Sequence, residues 1–351
     1  MICLLLTIYF ISVKMPKYGL LLLNLGTPRS PSVWYVARYL TQFLNDPRVI
    51  DNDPITRWLL VNTLIVPFRS PKSAKAYKKL WTEQGSPLLF YGKELQNKLQ
   101  QLLGNEFGVH LAMRYQKPSI PDVLKEMEKK GYQKIIIFPL FPQYASSTSG
   151  SAIQETLKHL SKWYVIPNFQ IISQYFDSEY FINAWVQIGK KYLHENSYDH
   201  VLFSYHGLPF RHLDKAYQDG KLCKEHFCKE VWNEENYYCY EAACYETSRR
   251  IAKGLGIEQY SVAFQSRLGR DPWIEPYAEP HIIQLAKQGI KKLLVFSPAF
   301  VADCLETTIE IGHEYAEVFK EHGGKHLQLV HSLNAEHEWV EAIKQMVLEK
   351  L

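Results

Sequence analysis

The sequence predicts an α/β fold built as two similar halves, each a four-stranded parallel sheet flanked by helices. Three observations predict it. Short runs rich in Leu, Ile and Val alternate with longer amphipathic stretches, the pattern of strands buried on both faces and joined by crossover helices. These runs fall into two sets of four, and the endings of corresponding runs in the two sets repeat each other.

Strands are expected at residues 19–25, 109–115, 134–140 and 169–173, then at 200–205, 260–266, 291–297 and 326–331. Between them lie helical patterns such as 120–130 and 177–194, where apolar residues recur at helical spacing. The first run ends in Asn24-Leu25-Gly26-Thr27-Pro28 and the fifth in Tyr205-His206-Gly207-Leu208-Pro209. Both are x-x-Gly-x-Pro, a turn that ends strand pairing and begins a loop. The third runs echo likewise, one entering Pro139-Leu140-Phe141-Pro142-Gln143-Tyr144 and the other Ser297-Pro298-Ala299-Phe300-Val301. Residues just past strand carboxyl ends are where open α/β sheets bind ligands. His206 holds the place of Leu25 in this echo, so one wall of a central cleft is expected to be polar and the other apolar.

The halves are expected at residues 15–165 and 166–334, with the connection near 162–168 and a final helix at 335–351 crossing back to the first half. The first fourteen residues, MICLLLTIYFISVK, read as an extension outside the working protein, which would begin at Met15. They are too short to span a bilayer and lack a basic n-region and a small-residue cleavage site. No later segment reaches transmembrane length, so the expected compartment is cytoplasmic and reducing, which disfavours disulfides. Neither a GxGxxG nor a P-loop occurs, and Gly254-Leu255-Gly256 reads as a helix stop. A net charge of +4 over 351 residues is too mild for a nucleic-acid partner. An aromatic content of 14% suits a flat apolar ligand or a membrane-facing rim, with a Tyr-rich core as the plainer alternative.

Three groups of residues could carry chemistry. His206 follows an apolar strand directly, where a neutral imidazole can accept a proton or ligate a borderline metal. Asp303 and Glu306 follow the seventh strand, and Glu306, Glu310 and Glu314 are spaced by four, which on an α-helix puts them on one face. Such a row is either a solvated acidic face suited to a helix start or a conduit for protons or metal ions. The third group is Cys223, Cys228, Cys239 and Cys244, in a C-x4-C-x10-C-x4-C pattern holding four of the six cysteines. Zinc and a four-thiolate [2Fe–2S] cluster both fit that pattern.

The segments LLLNLGTP, GSPL, PLFPQYASSTSG, SYHGLP, FQSRLGRDPW and PAFVADCLET, in this order from about Tyr18 onward, together resemble the ferrochelatase family in its bacterial form. The resemblance implies two Rossmann-like lobes of the class II chelatase kind with a porphyrin between them, and insertion of ferrous iron into protoporphyrin IX to give protoheme. Fe²⁺ and the porphyrin would be substrates. Carried over by position, His206 matches the family's active-site histidine, Glu306 its essential glutamate, and Asp303 and Phe300 neighbours in the same loop. Tyr144, Arg114, Arg69 and Trp273 match residues lining or closing the pocket, and Leu25 an apolar position facing the macrocycle. The arginines are candidates for the porphyrin propionates, since guanidinium pairs with carboxylate bidentately. Residues 58–68 (WLLVNTLIVPF) match an apolar lip held against a membrane, implying peripheral contact with the bilayer or with a membrane-bound upstream enzyme. Some bacterial members carry a [2Fe–2S] cluster in an internal segment at the place of the cysteine quartet, which ranks that cluster ahead of zinc here. Cys304 stands where some relatives have a second histidine and is given no catalytic role. The alternatives are a coproporphyrin ferrochelatase and a non-catalytic two-lobed metal- or tetrapyrrole-binding protein.

Overall fold

Strand β1 (Tyr18–Gly26, YGLLLLNLG) buries an almost unbroken leucine run, as a strand covered on both faces must. In the computed structural model, which describes residues 16–267, 269 and 271–351, it lies inside a four-stranded parallel sheet. Its companions are β2 (Phe107–Tyr115), β3 (Lys134–Pro139) and β4 (Asn168–Ile171), in the order β2-β1-β3-β4. A second parallel sheet holds β5 (His200–His206), β6 (Tyr260–Gln265), β7 (Lys292–Phe296) and β8 (His326–Leu329), in the order β6-β5-β7-β8. The two orders are the same, so the echo in the sequence is an echo in topology. All eight strands lie where the apolar runs put them, with ends shifted by no more than two residues.

Among the described residues, twelve α-helices flank the sheets: α1 (Val33–Leu44), α2 (Pro54–Leu59), α3 (Val66–Leu80), α4 (Pro87–Leu103), α5 (Ile120–Glu128), α6 (Ser151–Leu160), α7 (Glu179–Glu195), α8 (Phe210–Asp214), α9 (Tyr240–Leu255), α10 (Ala278–Lys287), α11 (Ala316–Glu321) and α12 (His337–Leu348). Three segments are π-helical, Leu60–Ile65, Ser146–Gly150 and Leu305–Tyr315, a form often found at functional sites. The last of these takes the place of the α-helix expected there, and Glu306, Glu310 and Glu314 lie along it at a spacing of four, close to one of its wider turns.

A second correction concerns the boundary between the halves. Residue 166 precedes β4, which pairs with β3 and closes the first sheet, so the crossover comes after β4 and before α7. The strand is short, at the sheet edge, and exposes Phe169, which gives its sequence the look of a connection. Helix α12 packs on α4 and α7. Its fully buried Trp339 meets Phe138, Tyr175 and Phe181 at ring distances of 6.4, 5.8 and 5.9 Å, and Lys98 donates to the Ala335 carbonyl. The expectation for residues 1–14 lies outside the described residues.

Each strand that leads to the cleft ends in its predicted glycine turn. Gly26 has φ +111°, and a side chain there would collide with the Tyr115 carbonyl of β2, so only glycine allows this close approach. Among the described residues no helix is long and apolar enough to cross a membrane. The continuous helical run from α2 through the π-helical segment into α3 nonetheless turns Ile55, Trp58, Leu59, Leu64 and Phe68 to the outside while Val61 and Val66 pack inward.

Candidate active site and thiol cluster

Strand β5 delivers His206 to the cleft end of the second sheet. Its Nδ1–H donates to the Gly207 carbonyl at 2.6 Å, which fixes the tautomer and leaves Nε2 as the acceptor. The backbone carbonyl of His206 accepts from the Tyr240 hydroxyl at 2.9 Å, and the Trp273 ring lies 6.3 Å away. One turn further, Gly207 N–H closes onto the Gln265 carbonyl of β6.

Gln265 ties the histidine strand to the acidic stretch. Its side-chain oxygen accepts from Ser204 of β5 at 2.6 Å, and its amide nitrogen donates to the Glu306 carbonyl at 2.9 Å and to Glu310 at 3.3 Å. Glu310 also accepts from the Ser266 hydroxyl and N–H and from the Tyr315 hydroxyl, so both its oxygens are engaged. Glu306 is half-buried and lies close enough to the Tyr39 and Tyr77 hydroxyls of the first half to add to the upward push that burial gives both phenols. Glu314 is exposed. Asp303 is pinned: it accepts from Ser332 N–H at 3.0 Å and from the Asn334 amide at 2.8 Å. Phe300, just upstream, is half-buried.

On the opposite side Leu25 packs among the α1–α3 aromatic layer. Arg114 is not open to solvent ligands on all its donors, because it pairs with Asp46 at 2.8 Å and donates to Ser151 at 2.7 Å. Asp46 accepts from Ser151, Tyr115 and the Arg48 N–H as well. Burial alone would raise its pKa, but those bonds and the Arg114 charge hold the carboxyl below its ordinary value. Arg69 is exposed on α3. Tyr144 lines a cavity of about 370 Å³ between the halves, with Arg48 and Asp51 on one side and Leu208, Lys215 and Tyr240 on the other. One flank of this cavity is crossed by Asp51, which meets Arg211, His212 and Lys215 of the second half. Burial, then the charges of Arg211 and Lys215, press His212 down to about 4.

The cysteine quartet is brought together only in part. The Sγ atoms of Cys223, Cys228 and Cys239 all lie within 4.8 Å of one another, with Cys223–Cys239 at 3.7 Å and Cys228–Cys239 at 3.5 Å, and all three are buried. These two close thiols hold Cys239 well below the usual thiol value. Cys244 is not among them: it sits a turn into α9, wholly buried beside Tyr240 and Tyr205, and burial pushes its thiol up. Glu241, overlooked in the sequence between the two last cysteines, places Oε2 3.7 Å from the Cys223 Sγ and is pushed up by burial to about 7. Asp46 was likewise missed, although the Asp-Pro turn that carries it is a sequence signal.

The chain is similar to known proteins over nearly its whole length. The ferrochelatase family model matches residues 17–351. The ferrochelatase of Coxiella burnetii strain CbuK_Q154 is 45% identical over 338 residues, covering 95% of this chain and 94% of its own length. That of Legionella pneumophila strain Philadelphia 1 is 46% identical over 336 residues, covering 95% and 99%. Among solved structures, SirB from Bacillus subtilis with Fe3+ superposes with a TM-score of 0.51 at 14% identity, covering 76% of this chain and 92% of that one. The sirohydrochlorin chelatase SirB from Bacillus subtilis subspecies spizizenii in complex with cobalt gives the same TM-score at 10% identity over 95% and 94%. At such identities these two bear on the fold alone.

Proposed function

The chain belongs to the ferrochelatase family, and we propose that His206, Glu306 and Asp303 carry its insertion of ferrous iron into protoporphyrin IX, which yields protoheme. Iron insertion into a porphyrin on the route to heme is the activity of this family. The two pyrrole N–H protons must leave as Fe²⁺ enters, so the site needs a base, a path for protons or cation, and walls that hold the ring.

The observation that carries the assignment is the Nδ1–H bond from His206 to the Gly207 carbonyl, which leaves Nε2 with its lone pair. That nitrogen takes a pyrrole proton. Glu306, joined to the same strand pair through Gln265, takes the second proton or hands on the metal. Glu310 extends the route as a fixed station held by Ser266 and Tyr315, and Glu314 stands at its exposed mouth. Asp303 acts by shaping the loop that presents Glu306, since Ser332 and Asn334 hold it from the side. Leu25, Phe300, Tyr144 and Trp273 form the walls, whose rigidity lets binding energy bend the macrocycle. Arg69, exposed, is the arginine for a propionate, while Arg114 acts mainly by fixing Asp46.

The apolar face of α2–α3, with Trp58, Leu64 and Phe68 outward, supports peripheral contact with a membrane from which the porphyrin is drawn. No step is routed through the thiols of Cys223, Cys228 and Cys239, which converge away from His206 in the stretch leading into α9. Anaerobic incubation of the protein with Fe²⁺ and protoporphyrin IX, followed by heme absorbance, tests the reading. Heme formation is expected, and its loss in His206→Ala and Glu306→Gln with porphyrin still bound; turnover only with coproporphyrin would replace the substrate, and near-normal rates in either variant would remove that residue.

A further inference from the structure

We propose that Gln265 is a positioning residue for iron insertion, holding the Glu306–Glu310 stretch against the His206 strand through neutral hydrogen bonds alone. The proposal rests on the roles given above to His206 and Glu306, and adds the residue that sets their relation. Gln265 ends β6 and is the register partner of His206 on β5. Its main chain fixes the turn after the histidine, since its carbonyl accepts from Gly207 N–H at 2.8 Å. Its side chain, only 1% exposed, spans from Ser204 of β5 to Glu306 and Glu310.

The amide fits in one orientation. The Ser204 hydroxyl donates to Oε1 at 2.6 Å, while Nε2 faces two acceptors, the Glu306 carbonyl at 2.9 Å and a Glu310 oxygen at 3.3 Å. Turned over, the amide would set its oxygen against those two oxygens, acceptor against acceptor. Ser204, itself buried, therefore acts through Gln265 by locking the amide that holds the stretch. The bond to Glu306 falls on the main-chain carbonyl, so the segment is anchored without using the carboxylate.

The next residue joins in at a conformational cost. Ser266 has φ +65°, in the left-handed region that residues other than glycine seldom enter. That backbone brings both its N–H and its hydroxyl to Glu310, at 3.0 and 2.6 Å. Glu310 is thus held by three donors from Gln265 and Ser266, none of them charged. The corresponding strand end of the first sheet shows the alternative. There Arg114 meets Asp46 as an ion pair at 2.8 Å, which cancels the carboxylate's charge within the protein. A neutral amide secures Glu310 and leaves its charge for a cation to meet.

The test is steady-state iron insertion by the full chain, with Fe²⁺ and protoporphyrin IX varied separately. Gln265→Met keeps the length and removes the hydrogen bonds. Its kcat should fall about tenfold to a hundredfold and its KM for Fe²⁺ should rise, with the KM for porphyrin within about twofold. Ser204→Ala should slow the reaction about fivefold. The double variant should be no slower than Gln265→Met, because one residue works through the other. A porphyrin KM that rises as far as kcat falls, additive losses in the double variant, or an unchanged rate in Ser204→Ala would each overturn the role. Ser204→Ala alone decides the matter if Gln265→Met fails to fold. Normal rates in Gln265→Met beside slow His206→Ala and Glu306→Gln would end this proposal and leave the site reading standing; normal rates in all three would end both.

Discussion

The cleft ends of β1 and β5 occupy the same place in the same topology and have been put to opposite uses. At the end of β1 the neighbouring strand offers Arg114 and Tyr115, and both are bound to the buried Asp46. Every charge there has a partner, and Leu25 beside them is an apolar residue packed against the α1–α3 layer. At the end of β5 the neighbouring strand offers Gln265, a neutral clasp, and what faces the cleft is a histidine with one nitrogen occupied and one open. Identical scaffolds thus give a wall on one side and a reactive group on the other. The difference is made by whether the polar atoms at the strand end are satisfied within the protein.

The largest effect that could break this comparison is at His206. Replacing it with Ala should slow iron insertion on the order of a thousandfold, with porphyrin binding, followed by tryptophan fluorescence, little changed. A variant within a few-fold of the parent would put the base elsewhere. On the other side the expected loss is in stability. Asp46→Ala leaves a half-buried Arg114 and the Tyr115 and Ser151 hydroxyls without their acceptor, at a cost of about 1–3 kcal/mol, which urea unfolding would read directly. If stability held and only the rate fell, the first-half network would belong to the chemistry after all.

Smaller effects sharpen the picture. Glu310→Gln keeps the shape but cannot pass a proton, so insertion should slow about tenfold while unfolding shifts by only about 1–2 kcal/mol. An unchanged rate would end the relay at Glu306. The smallest concerns pH. His212 is pressed down to about 4 in the folded protein, below the ordinary imidazole value, so the unfolded chain binds more protons between about 6.5 and 4. Stability is complete above that window and falls as pH drops through it. Thermal melts at stepped pH should show the fall, and His212→Gln should flatten it; the same slope in both proteins would move the effect to another group.

Much of this was legible in the sequence because it is periodic. Eight apolar runs and two x-x-Gly-x-Pro endings were enough to give both sheets and the position of His206. What escaped depends on distance along the chain. Asp46 and Arg114 are 68 residues apart, and nothing local in either says that they pair. Glu310 reads as one of a row, but nothing local says that Gln265, Ser266 and Tyr315 engage both its oxygens. Spacing alone does not say which of the four cysteines converge; the thiols of Cys223, Cys228 and Cys239 gather, and Glu241 of α9 reaches the Cys223 Sγ. The short strand β4 was found, but its exposed face made the join between halves seem to come earlier than it does.

Helix α12 has a consequence for how the protein is made. Trp339 seals Phe138, Tyr175 and Phe181, yet it is translated long after them, with the whole second sheet in between. Contacts so remote in sequence form late, since a long loop must close before they contribute. The first sheet can therefore assemble on the ribosome but stays greasy on one side until the second has emerged. Maturation of the two halves ends together, and a chain stopped short of Trp339 should be found by chaperones and proteases rather than by substrate.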